Sequence, residues 1–284
     1  MSYDTSQRYD NDALFVGSGF TLNHTFYARR SNEQTGKQRM YASVEQMIKE
    51  HISPDRLMRF MSLPGRDWKF EHHIGQQFAN WHHKKTFLTG FEDHYEVMLQ
   101  GAQNVPRSDN YWELPSNPSW RKIERLGVDY FKTNQSRWLH LDINHALTLT
   151  PDHFPGDTTA EKAASWRWWM QKFCMWDAVW LDYCGTATDT MAKALNNLHI
   201  HCAPDRDEIP VAVTLLKGRE QFRSQRTMQG FNALPDGDVL DRRKWLEYHL
   251  AGGCLYPNIR FKTLEYFEYR DTSPMCNILG LIQR

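Results

Sequence analysis

No CxxC pair occurs anywhere in this chain, and its five cysteines, Cys174, Cys184, Cys202, Cys254 and Cys276, are widely spaced and odd in number. That spacing excludes a zinc-finger module and argues against a disulfide framework, so reduced thiols in a cytoplasmic setting are expected. Apolar runs are short. None approaches the roughly 18 residues that span a bilayer, and the polar start MSYDTSQRYDND lacks an export-signal pattern, so no membrane partner is expected. Excess charge is missing too: 34 Lys and Arg balance 34 Asp and Glu, which gives no general hold on nucleic acid while leaving room for a local basic patch. What the 284 residues do contain is aromatic side chains, 13% of the total within a 40% hydrophobic fraction. That composition can bury a full core and is unlike a disordered chain.

Two apolar fragments in residues 1–40, LFVGSGFTL and HTFYA, read as a short hairpin. Ser43 and Gln46 have capping-box spacing, and Val44, Met47, Ile48 and Ile52 continue a helical stripe; SPDRLMRFMSLP reads as a second short helix. Five histidines, His72, His73, His82, His83 and His94, are scattered between Trp68 and Gln100 and fit a surface or core better than a metal site. NVPRSDNYWELPSNPSW is loop around a short strand at Tyr111 to Leu114. WRKIERLGVDYFKTN reads as a helix, and SRWLHLDINHALTL as a strand with Trp138, His140, Asp142 and Asn144 on one face. A long Trp-rich helix from Thr159 to Tyr183 follows, then LNNLHIHCAP and IPVAVTLL as buried strands, a polar connection GREQFRSQRTMQGFNALPDGD, and the helix DRRKWLEYHL. No βαβ unit repeats. The expectation is therefore an α+β fold, an antiparallel sheet flanked by helices, in a single domain 1–284. Residues 1–103 form its mostly helical part and 104–284 the sheet-bearing part with the candidate site.

The last predicted strand, in YPNIRFKTLEYFEYRDTSP, is unusually charged. Strict alternation puts Arg260, Lys262, Leu264, Tyr266, Glu268 and Arg270 on one face, and Phe261, Thr263, Glu265, Phe267 and Tyr269 on the other. Together with Glu113 and the His140, Asp142, Asn144 face, this strand suggests a polar sheet end. Carboxylates gathered there (Glu113, Asp142, Glu268) suit Mg²⁺, while Arg260, Arg270 and His140 suit ATP phosphates. Arg260 and Arg270 would then stabilise the charge that develops as an acyl phosphate forms and an amine attacks it.

Trp245, His249, Leu250, Tyr256, Pro257, Ile259, Arg260, Glu268, Arg270, Asp271 and Pro274 resemble, in order, a stretch of the glutamate-cysteine ligases and related carboxylate-amine ligases (amidoligases). Glu113-Leu114-Pro115-Ser116-Asn117-Pro118, followed by His140-Leu141-Asp142, is similar to a second stretch of that superfamily. The resemblance implies a glutamine-synthetase-like fold and an ATP- and Mg²⁺-dependent ligase that joins a small-molecule carboxylate to an amine. In place of the family's G-x-E-x-E strand, VGSGFTLNH has Gly17 and Gly19 but no acid. A second reading therefore stays open: a non-enzymatic viral or phage structural or assembly protein, a homo-oligomer that buries aromatic surface against its own copies. A third is a metal-dependent nuclease that uses His199 and His201 of the HIH segment, although Tyr248, Tyr256, Tyr266 and Tyr269 lack the following lysine its nucleophile would need.

Overall fold

The computed structural model describes residues 36–53, 57–64, 70–71, 74, 86–101, 119–133, 136–183, 185–217, 242–270 and 274–284, all within one compact unit, Thr35–Arg284. Along the chain, helix α1 (Gly36–His51) precedes strands β1 (Met58–Ser62) and β2 (Thr86–Glu92) and helix α2 (Tyr95–Gly101). Strands β3 (Ser119–Ile123), β4 (Val128–Lys132) and β5 (Ser136–His140) follow, then helices α3 (Ile143–Thr148) and α4 (Thr159–Phe173). Strand β6 (Ala178–Asp182), helix α5 (Asp189–Asn197), strand β7 (Glu208–Leu216), helix α6 (Arg242–Leu250) and strands β8 (Arg260–Arg270) and β9 (Pro274–Gln283) complete the described elements.

These strands form one sheet in the order β3-β4-β5-β2-β1-β6-β7-β9-β8. The five in the middle, β5, β2, β1, β6 and β7, are parallel. β9 runs antiparallel to both β7 and β8, and β3 and β4 add an antiparallel extension to β5. The expected antiparallel α+β, glutamine-synthetase-like sheet is thereby corrected to an α/β sheet of the doubly wound kind, whose strand order reverses between β1 and β6. Two of its central strands, β1 and β2, come from before residue 103, so the sheet draws on both sides of that expected division.

Helices cover both faces. On one side Leu147 of α3, Trp169 and Phe173 of α4, Leu195 of α5 and Trp245 of α6 share a core with Met61, Phe91, Leu139, Val179 and Val213 of the strands. On the other side Tyr41 of α1 packs against Phe70 and Trp180, with ring centroids 4.9 and 5.4 Å away. Each large side chain buried this way contributes about 1.5–3 kcal/mol.

Several local readings change for physical reasons. α1 begins at Gly36, so Ser43 lies within the helix and caps nothing; Met40 and Tyr41 extend the buried stripe of Val44, Met47 and Ile48 upstream. MRFMS is the central strand β1 instead of a helix, because a short, mostly apolar run buried on both faces has no period that separates the two. Within the expected helix WRKIERLGVDYFKTN, residues up to Lys132 form the β3–β4 hairpin, whose turn uses Gly127 at φ +64°. The capping box of Thr158 and Glu161 opens α4. Its expected run to Tyr183 ends at Phe173, where the chain turns through Met175 at φ 63° into β6. LNNLHIHCAP is the end of α5 and a 3₁₀ turn, Leu198–His201, not a strand. The expected hairpin in residues 1–40 lies outside the described residues up to residue 35, as do His72, His73, His82, His83, the strand Tyr111 to Leu114 and the connection 218–238.

Candidate functional site

In doubly wound sheets a ligand enters the crevice outside the carboxyl ends of the strands, at the point where the strand order reverses. Here that edge is formed by Ser62 of β1, Glu92 of β2, His140 of β5 and Asp182 of β6.

Glu92 closes β2 half-buried. Its Oε1 accepts the His94 N–H at 3.0 Å, and its backbone oxygen accepts the Leu141 N–H at 2.9 Å, tying the ends of β2 and β5 together. Burial pushes its carboxyl above the usual carboxylate range, and the neighbouring Asp93 adds to the shift. Beside it the Tyr95 and His140 rings lie 5.1 Å apart, with His140 Nε2 3.2 Å from the Asp93 carbonyl oxygen. Tyr95 is 45% exposed, so an aromatic face is presented next to an acid. Asp142 follows β5 and caps α3, accepting the Asn144 N–H at 2.6 Å. Tyr183 donates its hydroxyl to Asn144 Oδ1 at 2.9 Å, and burial, with the Asp142 charge, raises that phenol far above its ordinary value.

Across the reversal, Asp182 ends β6 with Lys37 Nζ of α1 3.9 Å from its Oδ2. Glu71 is almost wholly buried. Desolvation pushes its carboxyl up to about 7, opposed by the Ser62 hydroxyl and reinforced by the Asp182 charge. The edge thus carries Glu71, Glu92, Asp93, Asp142 and Asp182.

The expected ligase site does not assemble. Glu113 lies outside the described residues. His140 and Asp142 sit at the end of β5, six strands along the sheet from Glu268 and Arg270 on β8, a separation of roughly 29 Å at ~4.8 Å per strand. Arg260 and Arg270 occupy opposite ends of β8, roughly 33 Å apart at ~3.3 Å per residue. A bulge between Thr263 and Glu265 also breaks the expected alternation. Thr263 donates to Glu247 of α6 at 2.6 Å, whereas Glu265 accepts from Arg39 of α1 at 2.6 Å, so the two face opposite helices. Tyr266 packs on the α6 side with Phe261, which places Glu268 on that face and Arg260 on the other. Against a burial cost, Glu268 is held below the usual carboxylate range by hydrogen bonds from Lys217 and Tyr266. ATP, Mg²⁺ and a carboxylate–amine pair therefore lose the residues assigned to them.

The other two readings are corrected as well. His199 and His201 lie in the 3₁₀ turn, both buried. His201 bonds the Leu147 carbonyl oxygen at 3.1 Å and sits 3.4 Å from Cys174 Sγ, while His199 is 3.1 Å from the Asn196 carbonyl oxygen. Burial pushes both down to about 4, so they are neutral structural groups, and no metal-binding cluster exists among the described residues. The indoles expected to bury against other copies in an assembly protein are used internally: Trp138, Trp169, Trp176 and Trp245 are fully buried in the chain's own core. No helix among the described residues is long and apolar enough to cross a membrane.

Sequence reasoning passed over Glu92, Asp93 and Glu71. A signal for the first two was present in FLTGFED, an apolar strand run that stops on paired acids; Glu71 had none, because its burial depends on a distant strand.

No family model and no curated protein matches the chain. Its path is similar to that of magnesium protoporphyrin IX methyltransferase (ChlM) from Synechocystis PCC 6803 with bound SAH, at 10% identity over 99% of this chain and 97% of that one, TM-score 0.48. It is also similar to the N-methyltransferase NodS from Bradyrhizobium japonicum WM9, at 8% identity over 87% and 97% of the two chains, TM-score 0.40, and to TrmN from Thermus thermophilus, at 7% identity over 86% and 49%, TM-score 0.44.

Proposed function

We propose that this chain is an S-adenosylmethionine-dependent methyltransferase whose nucleoside pocket lies at the carboxyl ends of β1, β2 and β5. The observation that carries the reading is Glu92, an acid closing the second parallel strand beside the reversal of strand order. An acid in that place accepts hydrogen bonds from ribose hydroxyls. His94 N–H already bonds Oε1, and the exposed Tyr95 ring beside it offers an aromatic face to the base.

Charge selects among nucleoside ligands. Glu92, Asp93, Asp142 and Asp182 rim the crevice, with Lys37 paired to Asp182. Such a rim disfavours a pyrophosphate and suits a ligand bearing sulfonium and ammonium charge. The sequence that follows β1, Leu63-Pro64-Gly65-Arg66-Asp67, has one glycine in place of the G-x-G-x-x-G that cradles dinucleotide phosphates. The residues present thus fit an adenosyl sulfonium better than a dinucleotide. When bound, that cofactor supplies an electrophilic methyl group; the chain's part is to fix the ribose through Glu92 and to hold the base edge against Tyr95.

Thermal shift and titration calorimetry with SAH, S-adenosylmethionine, NAD and ATP test this. SAH should raise Tm by binding the native state. Glu92→Gln should weaken SAH about 10- to 100-fold, the loss of charge-assisted bonds worth ~1.5–3 kcal/mol. No shift with millimolar SAH, or an equal shift with NAD, would overturn the reading.

A further inference from the structure

Asn277 of β9 is fully buried, yet neither its side-chain oxygen nor its side-chain nitrogen has a hydrogen-bond partner. Buried polar side chains are nearly always satisfied, and an amide left with both ends idle opposes folding. Register shows where this amide points. Asn277 lies opposite Thr214 of β7 and Phe267 of β8, and Thr214 is paired with Asp182 of β6. Lys37 beside Asp182, and Arg39 over the Phe267 ring at 4.1 Å, put this row on the α1 face of the sheet. The row continues the edge that Glu92 closes. Ser62 pairs with both Gly90 and Trp180, so Glu92 and Asp182, each two residues further on, stand level. Asp182 is thus two strands beyond Glu92 and Asn277 two strands beyond Asp182, each step roughly 10 Å at ~4.8 Å per strand.

A lone water does not resolve this amide, because a buried water needs about two to four polar partners. On the α1 face the strand residues around Asn277 are Met275, Leu279, Phe267 and Thr214, of which Thr214 alone is polar. Its Oγ1 already accepts the Trp180 indole N–H at 3.4 Å. Above the row lies α1, which packs on β7, β8 and β9. Its first turns are held there by side chains that reach solvent, Lys37 to Asp182 and Arg39 to Glu265. Ion pairs of that kind are weak, so this end of α1 can lift while the sheet beneath stays folded.

We infer that the row of Asp182, Thr214 and Asn277 seats the methyl acceptor, and that this acceptor is a neutral planar ring whose edge carries a hydrogen-bond donor and an acceptor side by side, as in a lactam or a pyrimidine. The word acceptor rests on the methyltransferase reading above; the ring seat itself does not. An asparagine amide meets such an edge through two parallel hydrogen bonds, as it does when it reads a base, and both of its idle ends are then used. Trp180 and Phe267, on the same face, border the row with aromatic surface. Lys37 cancels Asp182 and Arg39 cancels Glu265, so the surroundings favour a neutral ligand over an ion. A ring without the paired edge leaves the amide unsatisfied and is rejected.

Asn277→Leu, close in size and free of polar atoms, separates a binding role from a structural one. An amide kept for a ligand opposes folding, so the variant should unfold at a higher urea midpoint than the parent; a lower midpoint would mean that the amide holds the fold, and overturns the inference. Saturation-transfer NMR with uracil and pyridone, in the presence of SAH, then reads the seat directly. Both probes should bind the parent and bind Asn277→Leu about 10-fold or more weakly, while dimethyluracil, which has lost both N–H groups, should bind parent and variant alike. If SAH binds but neither probe does, or if the probes do not distinguish parent from variant, this inference falls and the methyltransferase reading stands. If the probes bind through Asn277 and SAH gives no shift, the ring seat stands and the methyltransferase reading is the part that fails.

Discussion

Glu71 is 2% exposed with its carboxyl pushed up to about 7. Between the ordinary carboxyl value of 4.5 and about 7 the native chain therefore keeps a proton that the unfolded chain has released. Stability attributable to this group must fall as pH rises through that window, by up to about 3 kcal/mol. Glu71→Gln retains the shape without the charge. Urea unfolding at about pH 5 and about pH 8 should show the variant gaining on the parent at the higher pH by that amount; an equal difference at both would refute the assignment. His199 and His201, pushed down to about 4, act in the opposite sense. Each releases stability as pH falls from its unfolded value toward 4, which is why the comparison is made between variant and parent. These three residues also show where sequence reading stops. The HIH pattern suggested two side chains on one strand face, but a 3₁₀ turn directs both into the core, and nothing in a run of letters marks Glu71 as buried behind Ser62.

β8 is the clearest case of a regular pattern misread. Its alternation was visible and its extent as a strand was correct, yet one extra residue near Leu264 reverses the facing of everything beyond it. Gly280 sits opposite this bulge, paired with Thr263. A Cβ there would lie 2.4 Å from the Lys262 carbonyl oxygen and 2.5 Å from the Phe261 ring. Gly280→Ala should therefore destabilise the chain by about 1–3 kcal/mol, measured as a lower urea midpoint with unchanged slope; a neutral result would mean that the β8–β9 pair relaxes freely. β7 and α6 were legible because the mostly apolar run IPVAVTLL and a Trp-Leu-x-x-His-Leu stripe each have one interpretation. β1 and the β3–β4 hairpin were not: five-residue strands fit a helical or an extended period equally well.

The sheet as a whole could not be read from the order of its strands in sequence. Parallel pairing joins segments far apart, such as Phe60 with Ala178, and it is that pairing, not any local motif, which brings Glu92, His140 and Asp182 to one edge. Glu113, Asp142, Glu268 and Arg270 looked like a set because each sat on a polar strand face; no local pattern reports the distance across the sheet. Among the described residues β8 is the outermost strand, beyond β9, and its eleven residues expose Arg260, Lys262, Glu268 and Arg270 to solvent. Replacing Lys262 and Arg270 together with valine should make the protein associate with rising concentration, seen as growing scattering mass, whereas unchanged mass would contradict this. An unpaired strand edge is a template on which another chain can continue the sheet, and charged side chains with a bulge make that continuation costly. The charge on YPNIRFKTLEYFEYRDTSP is then a stop signal for strand addition: it ends the sheet at the boundary of one molecule and keeps the backbone of β8 from being zipped to a neighbour.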